Sequence, residues 1–157
     1  MKKVFIFLLA LFTFVFFFNA TVFADDADDE IFTDEQISYY RNLGLQGTTV
    51  NVYNWGEYIS DGAEGSMNVV KEFERLTGAK VNYTNYESNE NMYSKLSGGG
   101  VSYDVIVPSD YMISRLLEED MLVEINWDNI PNIRYIDDDY KNLYFDPEQK
   151  YTICYNV

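Results

Sequence analysis

From Thr48 to Glu119 the apolar positions switch repeatedly between a period of two and a period near 3.6. Thr48–Tyr53 is rich in β-formers, has Val50 and Val52 on one face, and predicts a strand followed by the loop Asn54-Trp55-Gly56-Glu57-Tyr58. Val69, Val70, Phe73 and Leu76 then fall at helical spacing, with Lys71, Glu72, Glu74 and Arg75 opposite and Gly78 at the C-terminal cap. Val81–Tyr86 predicts a second strand. Glu90–Leu96, carrying Met92, Tyr93 and Leu96, predicts a second helix that stops at Gly98-Gly99-Gly100. Tyr103–Val107 reads as a short third strand. After Pro108-Ser109-Asp110, a helix Tyr111–Glu119 is predicted from Met112, Leu116 and Leu117. Beyond Met121 no period survives, and Pro131 and Pro147 mark turns.

Strand and helix alternating with short connections imply a parallel sheet, because parallel neighbours need a crossover. The fold class is therefore α/β. Ligands of such sheets bind outside the carboxyl ends of the strands. The residues falling there are Trp55, Gly56, Glu57 and Tyr58, then Tyr86, Glu87 and Ser88, then Ser109, Asp110 and Tyr111.

The chain before this region has a different character. Lys2 and Lys3 precede the apolar run Val4–Phe18, and small residues lead to Ala24, which is the pattern of a secretory signal peptide spanning residues 1–24. An uncleaved run would instead approach the length of a membrane anchor. No Cys follows the run, so a lipid anchor at a new N-terminus is not expected. Residues 25–47 are expected to hold an acidic leader, Asp25–Glu30, and a short helix Asp34–Leu43 opened by a capping box of Thr33 and Gln36. Residues 48–157 form the main folded region.

Composition narrows the chemistry. The 157 residues carry 11 basic and 26 acidic side chains, a net charge of −15, which argues against nucleic acid or an anionic membrane as partner. Without residues 1–24 there would be 9 basic residues against the same 26 acidic ones. Hydrophobic residues make up 47% and aromatics 17%, enough for a folded core. There is no His, which removes His-based acid–base catalysis, His-dependent nucleophiles and the commonest zinc ligand. Cys154 has no Cys to pair with in the chain and reads as a small buried residue. The three consecutive glycines lack the spacing of a phosphate-binding loop. Asn82-Tyr83-Thr84 matches a glycosylation acceptor but falls inside a predicted strand, and Asp137-Asp138-Asp139 reads as a solvated turn.

Carboxylates interleaved with aromatic rings suit an organic cation: rings attract it by about 0.5–2 kcal/mol and carboxylates accept charge-assisted hydrogen bonds. An alkyl diamine or polyamine combines that charge with methylenes for the rings to cover. Each feature has a plainer reading as well. On that reading Trp55 seals the end of the sheet, Glu57 and Glu87 are solvated loop carboxylates, and Ser109 or Asp110 caps the helix that follows. Glu57 and Asp110 would also serve an acid–base pair on a sugar, as in a glycosidase, and their spacing alone does not separate the two uses.

Four runs in succession carry a resemblance: Val52-Tyr53-Asn54-Trp55-Gly56-Glu57-Tyr58; Phe73-Glu74-Arg75-Leu76-Thr77-Gly78 leading to Val81-Asn82-Tyr83; Tyr86-Glu87-Ser88-Asn89-Glu90-Asn91-Met92-Tyr93-Ser94-Lys95-Leu96; and Tyr103-Asp104-Val105-Ile106-Val107-Pro108-Ser109-Asp110-Tyr111. With Ile130-Pro131-Asn132 and Phe145-Asp146-Pro147, the stretch from Thr48 to Thr152 closely resembles the spermidine/putrescine-binding proteins of ABC importers. The resemblance implies a periplasmic-binding-protein-like lobe, export to the periplasm or the extracytoplasmic face, a polyamine ligand and an ABC permease as partner. It implies no catalysis, cofactor or metal, and a monomer. Carried over by motif, Trp55 and Tyr58 would help form an aromatic box, Glu57 would contact an amine, and Ser109 and Tyr111 would line the site. Glu87 and Asp110 are further ligand candidates from their position alone. Some relatives carry at position 56 a Thr that assists binding, where this chain has Gly56. Family members are much longer and have a second lobe, so the chain is expected to be a truncated first lobe. The rival expectations are a ligand-incompetent fragment and an enzyme using the rim carboxylates.

Overall fold

The computed structural model describes residues 32–155. The expected signal peptide, the acidic leader and the last two residues lie outside them. The chain divides into two units, one ending at Gln36 and one beginning at Ile37. Of the first, the described part holds the capping box as read from sequence: Thr33 N–H donates to Gln36 Oε1 at 2.9 Å and Gln36 N–H to Thr33 Oγ1 at 3.3 Å. The helix it opens, α1, spans Asp34–Arg41, two residues shorter than expected.

In the second unit the order is β1 (Thr49–Trp55), α2 (Val69–Thr77), β2 (Lys80–Tyr86), α3 (Asn89–Ser97), β3 (Val105–Ile106) and α4 (Asp110–Glu118). The three strands form one sheet in the order β2-β1-β3, and both pairings are parallel. Thr49 lies opposite Lys80 and Trp55 opposite Tyr86, while Val52 and Tyr53 face Val105 and Ile106. The α/β class and all six elements follow the sequence reading. No helix among the described residues is long and apolar enough to cross a membrane.

The helices stand where their caps put them. Asn68 Oδ1 accepts the N–H of Lys71 at 2.9 Å to start α2, and Gly78, at φ 73°, ends it in the left-handed conformation that glycine adopts without a Cβ penalty. Ser88 Oγ accepts the N–H of Asn91 at 3.1 Å to start α3. Glu74, on α2, accepts the backbone N–H of Val81 at 2.9 Å, which holds its carboxyl below the usual range and ties α2 to the start of β2.

Two boundaries differ from expectation. β1 continues through Asn54 and Trp55, which the pattern assigned to a loop. Asn54 is buried and satisfied within the strand: its Nδ2 donates to the Tyr83 hydroxyl at 2.8 Å and its Oδ1 accepts the N–H of Trp55 at 2.7 Å. β3 is two residues rather than five, because Asp104 Oδ2 takes the N–H and side-chain amide of Asn51 at 2.7 and 3.1 Å, where a backbone carbonyl would otherwise pair.

The β1–β2 and β2–β3 crossovers run in opposite directions, so right-handed connections place α2 and α3 on opposite faces. The main core lies on the α3 face. There Tyr53 and Tyr86 meet Met92, Met112 and Leu116, with Trp55, Leu96, Tyr103 and Ile106 around them. On α2 the expected inward stripe is only partly covered: Leu76 is buried, but Val69 and Phe73 are exposed, since the described residues enclose only the C-terminal turn.

After α4 the chain makes three short 3₁₀ turns, Trp127–Asn129, Pro131–Tyr135 and Asp138–Tyr140. The acidic triplet is the solvated turn expected of it, with Lys141 reaching Asp138 at 2.7 Å. Asp146 is the anchor of the terminal segment. Although buried, it accepts the N–H groups of Lys150, Tyr151 and Thr152 and the Thr152 hydroxyl, all at 2.8–3.0 Å. Burial pushes its carboxyl up, and these four donors outweigh burial and hold it below the usual value. Cys154 departs from its expected burial. It is partly exposed, because the residues after Tyr151 run without regular structure along the surface.

Two measurements check this account. Gly78→Ala, forced to φ 73° with its Cβ 2.8 Å from Gln46 Cγ, should cost about 1 kcal/mol in urea denaturation. Asp146→Asn should cost about 2 kcal/mol at neutral pH. The folded pKa of Asp146 lies below the ordinary 3.8, so its contribution is complete above that pH and is lost as pH falls through the lower folded value. The gap between wild type and variant should therefore close in acid.

Candidate functional site

Because β1 is followed by α2 on one face while Met112 and Leu116 bring α4 into the core on the other, the two loops diverge at the carboxyl ends of adjacent strands, the usual ligand position in open α/β sheets. The Tyr86 hydroxyl donates to Val107 O, which fastens the end of β2 to the end of β3. Burial of that phenol raises its pKa far above the ordinary value. All three strand ends thus form one rim.

The first loop supplies aromatic surface. The Trp55 ring tilts against Tyr86 with centroids 4.6 Å apart and meets Tyr58 edge-on at 6.1 Å. Trp55 is partly buried at the margin of the core, so it seals the sheet end and also offers an exposed portion to the rim. Tyr58 is 43% exposed. Between them Glu57 is exposed and adopts φ 63°, a left-handed conformation unusual for a residue with a Cβ.

In the third loop, Ser109 occupies the N-cap position of α4 but makes no side-chain capping bond. Asp110 instead accepts the N–H of Tyr111 through Oδ1 at 2.7 Å and the Tyr144 hydroxyl through Oδ2 at 2.7 Å. The Tyr144 bond, then the backbone bond, hold its carboxyl below the usual range. Tyr111 is half exposed, and its hydroxyl donates to Glu90 Oε1 at 3.0 Å. In the second loop Glu87 is exposed.

Glu57 and Glu87 make no hydrogen bond or ion pair among the described residues, and none of the ion pairs found there uses a rim carboxylate. The cations sit elsewhere: on α2 with Glu72, after it with Glu74, on α4 with Glu119, and in the terminal segment. The rim therefore joins uncompensated negative charge to aromatic surface. No group of residues suited to a metal ion occurs among the described residues. A cleft of about 610 Å³ lies elsewhere, between Asn51, Asn82, Thr84 and Tyr103, and contains none of the rim residues.

Four residues that shape the rim escaped the sequence reading as site residues. Buried Asn54 fixes the turn out of β1, and buried Asn89 connects the second and third loops. A buried Asn at a strand end and another beside a helix cap were the available signals. Tyr144 reaches Asp110, and Tyr155 donates its hydroxyl to Tyr58 O; no local pattern could reveal those long-range contacts.

Comparison with known proteins bears on the fold. The spermidine/putrescine-binding periplasmic protein 1 of Haemophilus influenzae is 40% identical over 107 residues, 67% of this chain and 28% of that protein. The spermidine/putrescine-binding periplasmic protein of Escherichia coli is 38% identical over 108 residues, 68% of this chain and 29% of its own length. The crystal structure of the spermidine/putrescine ABC transporter substrate-binding protein PotD of Streptococcus pneumoniae superposes with a TM-score of 0.62 at 37% identity, covering 68% of this chain and 31% of that one. The chain thus spans less than a third of the length of the curated relatives it matches. Residues 45–142 match the model of a family described as hypothetical lipoprotein (MG045 family). Over that span, more than half of its length, the chain belongs to this family, with a periplasmic-binding-protein-like lobe shared with the spermidine/putrescine-binding proteins of ABC importers.

Proposed function

We propose that this chain serves in the capture of polyamines outside the cytoplasm and in their delivery to the permease of an ABC importer. The observation that carries the reading is the rim itself, where the Trp55–Tyr86–Tyr58 corner stands among carboxylates that no cation of the described residues pairs with. An alkyl diamine complements both halves of that surface. Each methylene covered by the rings contributes about 0.8 kcal/mol. Each ammonium gains cation–π attraction and a charge-assisted bond to Glu57, Asp110 or Glu87. Ser109 and Tyr111 add polar contacts from the third loop. The relatives named above are described as binding proteins and as an ABC transporter substrate-binding protein.

The test is calorimetric titration of the chain with putrescine and spermidine at low and moderate salt. Saturable, stoichiometric heat that persists at about 0.15 M salt supports a polyamine site. Heat that disappears with salt means that only the net charge of −15 draws the polycation, and overturns the reading. Trp55→Ala and Glu57→Gln should each weaken binding by more than about 1 kcal/mol. Tyr144→Phe removes the largest influence on Asp110, so the Asp110 carboxyl should titrate closer to its ordinary 3.8 in carbon NMR.

A further inference from the structure

On the polyamine reading just given, Tyr111 meets the ligand at the rim, and its hydrogen-bond polarity decides which ligand ends it can hold. That polarity is traceable to a backbone group. The N–H of Ser109 is only a donor, so the Asn89 atom facing it at 3.2 Å is the carbonyl Oδ1. The other half of the same amide, Nδ2, is thereby turned toward Tyr111, and donates to its hydroxyl oxygen at 2.9 Å. Asn89 is 3% exposed and is the first residue of α3, so this orientation is held by packing as well as by the two bonds. With a donor already on its oxygen, Tyr111 directs its own proton to Glu90 Oε1 at 3.0 Å. One lone pair of the hydroxyl is left.

We infer that Asn89 is a positioning residue that presents Tyr111 to the rim as a hydrogen-bond acceptor, so that the site selects ammonium groups bearing N–H over quaternary ammonium groups of the same charge. The order runs from backbone N–H to amide, from amide to phenol, and from phenol to carboxylate. It leaves no donor for a ligand carbonyl or carboxylate at this point. A protonated primary amine has three donors and no acceptor, and fits it.

The experiment compares putrescine with its bis(trimethylammonium) analogue, which keeps the butane chain and both charges but has no N–H. Tyr111→Phe should lower putrescine affinity about ten-fold and change that of the analogue less than about two-fold. Asn89→Ala should reproduce this pattern and add little when Tyr111 is already Phe. In the ligand-free protein, Tyr111→Phe should also shift the Asn89 side-chain amide resonance, which reads the link without altering the buried residue. Equal losses for both ligands mean that Tyr111 acts only through its ring, and overturn the inference. Additive losses in the double variant, or an unmoved Asn89 resonance, overturn it as well. Saturable putrescine binding indifferent to both residues overturns the inference alone, whereas absence of saturable binding in the wild type overturns the polyamine reading and the inference together.

Discussion

Because β1 pairs in parallel with β2 on one edge and β3 on the other, each neighbour must be reached by a crossover, and the two crossovers must pass over opposite faces of the sheet. The divergence of the loops at the strand ends is a result of that constraint. So is the convergence of three loops distant in sequence onto one edge of a small sheet. The Tyr86 hydroxyl then closes the distance between the two outer strands by bonding to Val107 O, and Trp55 rests on the ring that makes the bond. A single buried tyrosine thus belongs at once to the core, to the sheet edge and to the floor beneath the rim.

What could be read from sequence was local. Helical spacing, with Gly78 and Gly98 as stops, placed α2, α3 and α4 to within a residue or two, because those signals act on the backbone beside them; the Asn68 and Ser88 caps went unread. The strand order was not available from the pattern, although its parallel character was. Asn54 and Trp55 were read as loop because an Asn is a poor strand former in isolation. In the folded chain Asn54 is kept in the strand by Tyr83, twenty-nine residues away. The shortness of β3 has a similar origin in the Asp104–Asn51 contact. Rim residues were legible as a set, since strand ends can be counted. Their supports were not, because Asn89, Tyr144 and Tyr155 act across twenty to nearly one hundred positions.

The distribution of charge is more telling than its total. Cationic side chains are consumed along α2 and α4 and in the terminal segment by neighbours a few residues away, where they offset negative charge on the solvated surface. Lys95 and Arg115 also lie over tyrosine rings, 4.8 Å from the Tyr53 centroid and 3.6 Å from that of Tyr93. None of these reaches the strand ends. The edge where three loops meet is left with its carboxylates exposed, and among the described residues a cation arriving there has no resident one to displace.

The backbone at Glu57 has a cost that its charge does not remove. A left-handed conformation at a residue with a Cβ raises the energy of the folded state by about 1 kcal/mol relative to glycine. Substitution by glycine at this position would relax the turn and discharge it in the same step. A population of variants sorted for heat resistance alone would therefore drift toward glycine at position 57, gaining robustness while erasing the negative group that the first loop holds out to solvent.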